Sequence, residues 1–598
     1  MKRLIIISFC IAGLLSQMSC SEDWLKPKPL SFFAPENVYV NEAGFEALLV
    51  TMRRDLKSET HGNMNYINAE WSYSDMAIAF TQPDYATQLT PDVSKYYPYL
   101  TIFNQAYKNI RNANTLITRI DDIIWSSTGK RDAVLAEAYF FRSYWYYRLV
   151  NSYGDVPFEN EEVTTAKLDY YSTSRWAILS YIQKDMEFAV QKLPEKSQVK
   201  PGEVSRGAGD HLLAKICLAN TDFDGAIAAA SRVINGPYAL MKDIRFGQDK
   251  ADPEYNVIWD LHRCANKNLS ENTETILATV DRESDPAATD ASGAQIGARD
   301  PAGTYAMRLY NPAVWNASVR DSQGKAGMLQ SGKTYRMYGR GNNNAKPVSF
   351  YNYGIWNGGG YNWRNTPDLR RSDANWVDLH ELTYTNPASV DYKKPINPAY
   401  FATPSDTIYC FNAIQHYKFY VPQSDTIAVP NGGNGDWYIF RLAETYLLRA
   451  EAYFWKNELT PAREDINMVR ERSKAPLITE ADVTIDYIFN ERARELFGET
   501  PRHNELVRAS YIMARLNKDG YTLADFSKSN YFYDKVMRDN IYLKNQITFS
   551  LGKAQILPHN VLWPINSAVI LANTLGVINQ NEGYTGADKN VPPLETIE

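Results

Sequence analysis

The sequence is poor in the residues from which disulfides and metal sites are built. Five cysteines and seven histidines are scattered over 598 residues. Cys10 and Cys20 lie near the N-terminus, which leaves Cys217, Cys264 and Cys410. Three widely spaced cysteines exclude a disulfide framework and a zinc pattern and allow at most one bridge. Cys217 sits in an apolar helical run, where a thiol acts as a small buried hydrophobe. No H-x-x-x-H or H-E-x-x-H spacing occurs, so zinc chemistry has no support and no cofactor is expected. The nucleophile elbow G-x-S-x-G is missing too, and nothing in the sequence supports an enzyme. Long basic runs are absent, which disfavours a nucleic-acid partner.

Two sharp-looking matches dissolve on inspection. Gly327, Gly332, Lys333 and Thr334 satisfy G-x-x-x-x-G-K-T. That loop needs a buried strand before it and a helix after it, and the flanks here are polar and broken by glycine. Asn220, Asp222, Asp224 and Gly225 are spaced like the start of a calcium loop, but position twelve is Ser231. The bidentate glutamate is missing, and turn chemistry explains the run better.

What is present begins at the N-terminus. Lys2 and Arg3 precede an apolar run at 4–15, interrupted by Ser8 and too short to span about 30 Å of hydrocarbon. A secretory signal at 1–19 is expected, and no later segment approaches 18 apolar residues. Ser19 and Cys20 are followed at once by SEDW. This resembles a bacterial lipoprotein signal, with Cys20 lipidated and 20–40 a tether; Gln17 and Met18 depart from the usual small residues. Several acyl chains make such an anchor stable. Ordinary cleavage nearby, with Cys20 incidental, is the alternative. Glu22 and Asp23 resemble signals that carry lipoproteins to the outer face of the outer membrane. Loss of Lys2 and Arg3 leaves 61 basic against 69 acidic residues, a net charge of −8.

The body of the chain reads as mostly α. AEAYF occurs twice, at 136–140 and 450–454, each time in a helical context. A helix pair over 211–234 lines up loosely with another over 446–470. The block 443–476 has the 34-residue length of a tetratricopeptide repeat, with alanines where two helices approach closely. Tyr99, Phe103, Tyr107, Ile110, Asn114 and Ile117 mark an amphipathic face at 3- and 4-residue steps. Further helices are expected at 42–56 and 175–193. These readings divide the chain into a helical half at 41–270, a loop-rich region at 271–435 and a second helical half at 436–598. The middle region is rich in Gly, Asn, Pro and Ser, and long loops of this kind usually carry function.

Several stretches together resemble the SusD/RagB family of outer-membrane nutrient-binding lipoproteins. YKNIRNAN at 107–114 and AEAYFFRSYWYYRLVNSYGDVPF at 136–158 resemble its front half; Ser143 departs from the usual alanine. RLAETYLLRAEAYFW at 441–455 and ERARELFGETPRHNELVR at 491–508 resemble its back half, with Thr500 and Asn504 as departures. WPINSAVILANTLGVINQNEGY at 563–584 resembles its closing motif, with Asn566 and Glu582 replacing prolines. Tyr153, Gly154, Asp155, Val156 and Pro157 should stop a helix and turn the chain. Glu491, Arg494 and Arg502 are expected in a buried ion network. The resemblance implies a non-catalytic cell-surface protein that captures oligosaccharide or polysaccharide for a TonB-dependent, SusC-like transporter. It leaves open the RagB-like capture of peptides and, more distantly, a surface hydrolase.

One stretch suits sugar capture. YNYGIWNGGGYNW, at 351–363, packs five aromatic rings, three asparagines and three consecutive glycines with no period of 2 or 3.6. Flat rings cover the C–H face of a sugar, while amides and guanidinium pair with its hydroxyl rim. Trp356, Tyr361 and Trp363, beside Asn352, Asn357, Asn362 and Arg364, are the expected exposed ligand residues. Gly358, Gly359 and Gly360 would let the backbone approach a ligand or adapt to it. Trp71, Tyr73, Trp315 and Tyr338 are further candidates, because the family builds its site from the early loop and the central region. The competing reading is that the rings tuck inward as a satellite core.

Overall fold

The computed structural model describes residues 35–62, 65–81, 83–92, 98–282, 304–421, 432–549 and 552–597. The signal at 1–19, Cys20 and most of the tether lie outside the described residues. The fold is mostly α. Helices α1 (Glu42–Asp55) and α2 (Tyr66–Ser72) lead into α3 (Pro98–Arg119), α4 (Thr128–Tyr153), α5 (Arg175–Lys192), α6 (Arg206–Ala219) and α7 (Phe223–Ile234). After the central region come α8 (Leu442–Trp455), α9 (Leu459–Arg472), α10 (Ile485–Leu496), α11 (Arg502–Arg515) and α12 (Tyr531–Asp539). From α3 to α9 each helix packs on its neighbour in this series, and α7 packs on α8 across the central region. That is the stacking of tetratricopeptide-like pairs, with each helix burying its apolar face on the next.

Small residues set the spacing. Ala226, Ala229 and Ala230 of α7 and Ala443, Ala450 and Ala452 of α8 are buried, so the helices approach closely. The turn before α7 is made by the calcium-like residues: Asp222 caps the helix by accepting the Gly225 N–H at 2.9 Å. A Cβ at Gly225 would fall 2.2 Å from that carboxylate, so a larger residue there would push the cap aside. At the end of α4, Gly154 takes φ +71° and releases the chain into β2 (Val156–Pro157), which pairs with β3 (Ser172–Thr173). All three cysteines at 217, 264 and 410 are free and buried. Among the described residues no helix is long and apolar enough to cross a membrane.

The central region is held by two strand pairs. β1 (Ala77–Ile78) pairs with β5 (Lys346–Pro347), and β4 (Thr275–Thr279) with β6 (Trp437–Arg441), which runs directly into α8. Between them lie short helices of four to seven residues, packed around two satellite cores that contain Trp71, Trp356 and Trp376 in one and Trp315 and Tyr384 in the other. The glycine–lysine–threonine run opens the seven-residue helix Gly332–Tyr338, and a Cβ at Gly327 would fall 2.3 Å from the Tyr384 ring. The element before it among the described residues is the short helix Ala306–Tyr310 and not a strand, so it lacks the phosphate-loop frame.

A buried ion cluster joins the central region to the second helical half. Glu491, Glu495 and Glu499 lie four residues apart, the spacing that puts side chains on one helical face. Glu491 takes Arg370 at 2.8 Å, Arg470 at 2.7 Å and Arg494 at 2.8 Å. Glu495 takes Arg370 at 2.9 Å, Arg441 at 2.5 Å and also Arg472, while Glu499 takes Arg441 and Lys418, each at 2.5 Å. Burial raises the Glu495 carboxyl, but the guanidiniums of Arg472, Arg441 and Arg370 outweigh it and hold it well below the usual range. The expected network is therefore present, with one correction. Arg502 does not join it; its guanidinium pairs with Asp75 at 2.6 Å, tying α11 to the segment after α2.

Glu495→Gln should leave these guanidiniums short of a buried counter-charge and cost about 3–5 kcal/mol, read as a lower Tm or denaturation midpoint. A loss below about 1 kcal/mol would show the cluster to be dispensable. Stability should also fall with acid. Burial pushes the His416 and His503 imidazoles down to about 3, against an unfolded value of about 6.5. His503 donates from Nε2 to the Val561 carbonyl, and Nδ1 has no partner to receive a second proton's charge. Between pH 6.5 and 4.5 the unfolded chain binds the extra protons, so each such histidine lowers stability by up to about 1.4 kcal/mol per pH unit as pH falls. Glu70, pushed up to about 7 by burial, acts in the opposite sense over this window. His503→Gln isolates one histidine: its Tm should vary less between pH 6.5 and 4.5 than the parent's, and an unchanged slope would reject the assignment.

Candidate functional site

The aromatic stretch at 351–363 divides between core and surface. Tyr351 is fully buried, stacks on Phe497 at 4.2 Å and donates to Gln415 at 2.9 Å. Trp356 ends the turn Gly354–Trp356 and is only 4% exposed. Its indole donates to the Tyr351 carbonyl at 2.8 Å and its ring meets Trp376 edge-on at 6.0 Å. The expectation of an exposed Trp356 is corrected: the ring is part of a satellite core. Asn352 is buried too, donating to Asn412 at 2.8 Å.

The remainder forms a surface turn. Gly358 and Tyr361 exchange both backbone hydrogen bonds at 3.0 Å, with Gly359 at φ +59° and Gly360 at φ +84°. Positive φ at both central positions is the signature of a type I′ turn, which glycine adopts without strain. The glycines therefore shape a tight hairpin rather than a loose adaptable loop, and a Cβ at Gly359 would fall 2.7 Å from Pro476. Asparagine side-chain oxygens pin the backbone on either side of Trp363. Asn357 accepts from the Trp363 N–H at 3.1 Å, Asn362 from Arg364 at 2.9 Å, and Asn365 from Asn362 at 2.8 Å.

The turn brings Asn357, Tyr361, Trp363 and Arg364 together on the surface. Tyr361 is 44% exposed. Trp363 is half-buried against Tyr353 at 4.9 Å, with the Arg364 and Arg371 guanidiniums 4.7 and 5.0 Å from its ring centre. Arg371 is held by Asp378, but Arg364 is exposed and can swing aside for another ligand of the ring. Among the described residues the side-chain N–H groups of Asn357 and Asn362 have no acceptor, and they can donate to a hydroxyl.

The other candidates lie elsewhere. Trp71, at 1% exposure, donates to the Thr500 carbonyl and packs on Phe497 at 4.5 Å. Tyr73 is fully buried, donating to the Asn560 carbonyl and stacking on Phe532 at 5.8 Å. Both support the core, and the surface role expected of them is corrected for the same reason as Trp356. Tyr338 is half-buried, edge-on to His416 at 5.6 Å. Trp315 is buried with Tyr335 edge-on at 5.4 Å, yet it borders a cavity of about 110 Å³. Arg308, Gln330, Arg340 and Tyr409 share that cavity. None of these four stood out in the sequence; isolated arginines in a polar loop carry no pattern. Three larger clefts, of about 480, 580 and 780 Å³, lie by the start of α5, along the edge of β4 and at the start of α1, away from every candidate. Among the described residues no group of His, Cys, Asp or Glu side chains is placed to hold a metal.

This architecture has known counterparts. A model of the SusD family matches residues 254–584, and a second, described as starch-binding associating with outer membrane, matches 23–218. The chain belongs to the SusD family. SusD-like protein P2 of Formosa agariphila is 26% identical over 267 residues, which are 43% of this chain and 50% of that protein. SusD-like protein P25 of the same organism is 24% identical over 284 residues, 44% of this chain and 51% of that one. The matches thus span about half the length of these relatives. Among solved structures, a laminarin-binding SusD-like protein superposes with a TM-score of 0.59 at 20% identity, covering 91% of this chain and all of the other. Surface glycan-binding protein A of Bacteroides thetaiotaomicron, in complex with laminarihexaose, gives 0.59 at 16% identity, covering 90% and 99%.

Two truncations separate the roles within the stretch. Trp356→Ala should cost about 3–5 kcal/mol of stability, as buried large-to-small changes do. Tyr361→Ala should change stability by less than about 0.5 kcal/mol, because an exposed ring supports little of the core. Thermal melting of both variants decides; equal losses would show the turn to be as integral as the core beneath it.

Proposed function

We propose that the protein is a non-catalytic, lipid-anchored glycan-capture protein on the outer face of the outer membrane, delivering oligosaccharide to a TonB-dependent transporter. The observation that carries this reading is the rigid surface turn of Tyr361 and Trp363 with Asn357 and Arg364. It presents an aromatic face and a polar rim on a scaffold shared with proteins described as laminarin-binding and surface glycan-binding. Cys20 supplies the anchor and a SusC-like barrel the partner. A stable lid on such a barrel would bury on the order of 2,000 Å² or more.

Affinity gels carrying a panel of polysaccharides should retard the wild-type chain on at least one. Tyr361→Ala and Trp363→Ala should weaken that binding by about 1–3 kcal/mol, roughly tenfold or more, in calorimetric titration. Retention only by peptides would replace the sugar reading with peptide capture, and release of shortened sugars from the polysaccharide would revive a hydrolase. A tag on this protein should recover a barrel of much larger mass from mild-detergent extracts; repeated recovery of the lipoprotein alone would count against delivery.

A further inference from the structure

The cavity beside Trp315 is lined by two arginines and no carboxylate. Many buried arginines are matched to carboxylates, as Arg142 is to Asp185, Arg148 to Glu59 and Arg508 to Glu451, while the buried Arg175 and Arg263 bond to carbonyl oxygens instead. Arg308 is half-buried and Arg340 exposed, and neither enters an ion pair or a side-chain hydrogen bond among the described residues. No acidic residue lines the space between them. Both guanidiniums act on the Tyr409 phenol: burial raises it, Cys410 adds to that, and Arg308 and Arg340 oppose. The Trp315 side chain borders the same space. Trp315 is 4% exposed, and its Nε1–H is buried with no acceptor. An orphaned buried donor costs about 1–3 kcal/mol unless something accepts from it.

The wall is rigid. A Cβ at Gly341 would fall 2.2 Å from the Asn311 carbonyl and 2.3 Å from that of Pro312, so backbone packs on backbone there. Gln330 donates to the Trp315 carbonyl at 3.1 Å, and Tyr409 stacks on Phe80 at 4.4 Å. The volume of about 110 Å³ equals three to four waters at about 30 Å³ each, room for one compact group rather than a sugar ring. Guanidiniums present paired N–H donors that fit the oxygens of a planar or tetrahedral anion.

We propose that this cavity receives the anionic substituent of an acidic glycan, a uronate carboxylate or a sulfate ester, gripped by Arg308 and Arg340 with the Trp315 indole donating. The proposal rests on the glycan-capture reading and narrows it to charged polysaccharides. The free carboxylate of a peptide C-terminus has similar chemistry; the glycan is favoured because the candidate sugar platform at Tyr361 and Trp363 belongs to the same region of the chain.

Calorimetric titration of the full chain with oligogalacturonate, a sulfated galactan oligosaccharide, laminarihexaose and a short acidic peptide tests it. An acidic oligosaccharide should bind, more weakly as salt rises, because the contact is between charges. Arg308→Gln and Arg340→Gln should each weaken it about tenfold or more while binding of any neutral glycan is unchanged. Trp315→Phe keeps an aromatic side chain, though a smaller one, and removes the N–H; a cooperative melt certifies the fold of each variant. Preference for galacturonate over sulfated galactan, or the reverse, supports the proposal and names the anion. Binding of laminarihexaose alone overturns the anion assignment and leaves glycan capture standing. Binding of the peptide alone, or acidic-glycan affinity indifferent to all three variants, overturns it as well, and the former takes the sugar reading with it.

Discussion

Three carboxylates spaced four residues apart govern how the loop-rich centre of this protein meets its second helical half. Glu491, Glu495 and Glu499 project from α10 and the turn after it into a pocket of cationic side chains drawn from separate parts of the chain. Arg370 comes from the central loops, Arg441 from β6, Arg472 from α9 and Lys418 from a four-residue central helix. Charges this deeply buried are strongly disfavoured unless each is matched, and replacing such a cluster by apolar residues is often neutral or better. Its consequence is geometric. The partners must arrive from four directions at fixed distances, so the loop-rich centre has one way to sit against α8, α9 and α10.

A second cluster extends the same constraint across the whole helix stack. Lys215 on α6 meets Glu444 on α8 at 2.7 Å and Glu505 on α11 at 2.8 Å, while Arg492 on α10 meets Glu444 at 2.9 Å. Arg502 and Asp75 then fix the segment after α2 to α11. The surface turn inherits this rigidity: Arg494 donates to the Ile355 carbonyl at 2.6 Å, and Trp356 packs just beneath. A ring held by such a base keeps its orientation before any ligand arrives, which reduces the ordering cost of binding.

Much of the architecture was legible because it obeys short periods. The alanine-rich pairs, the 34-residue block and the glycine that stops α4 are local signals, and the helices follow them. E-R-x-x-E-L-x-x-E was readable as a face of carboxylates at four-residue steps, but its partners were not, because Arg370 and Arg441 lie 121 and 54 residues from the carboxylates they meet. Arg502 shows the limit: one step further along the same motif, it turns to Asp75, 427 residues away. The aromatic stretch was legible only as composition. Without a period, nothing distinguishes Trp356, whose indole caps a carbonyl in the core, from Tyr361 five residues on, which stands at the tip of a turn. The three glycines did hold the answer for their own positions, since a pair of positive φ values is what a two-residue hairpin demands.

The cavity at Arg308 and Arg340 raises an electrostatic question, because the whole chain is acidic. A net charge of −6 would repel an acidic polysaccharide at low ionic strength. The Debye length at physiological salt is about 8 Å, so charges spread over a 598-residue surface are largely screened at the distances that separate most of them from this cavity. What acts at contact is the local set: the lining residues include Arg308 and Arg340 and no carboxylate. Net charge is thus a poor guide to what this protein attracts. The sign of the site is set by which charges are left unpaired, and in this cavity those are positive.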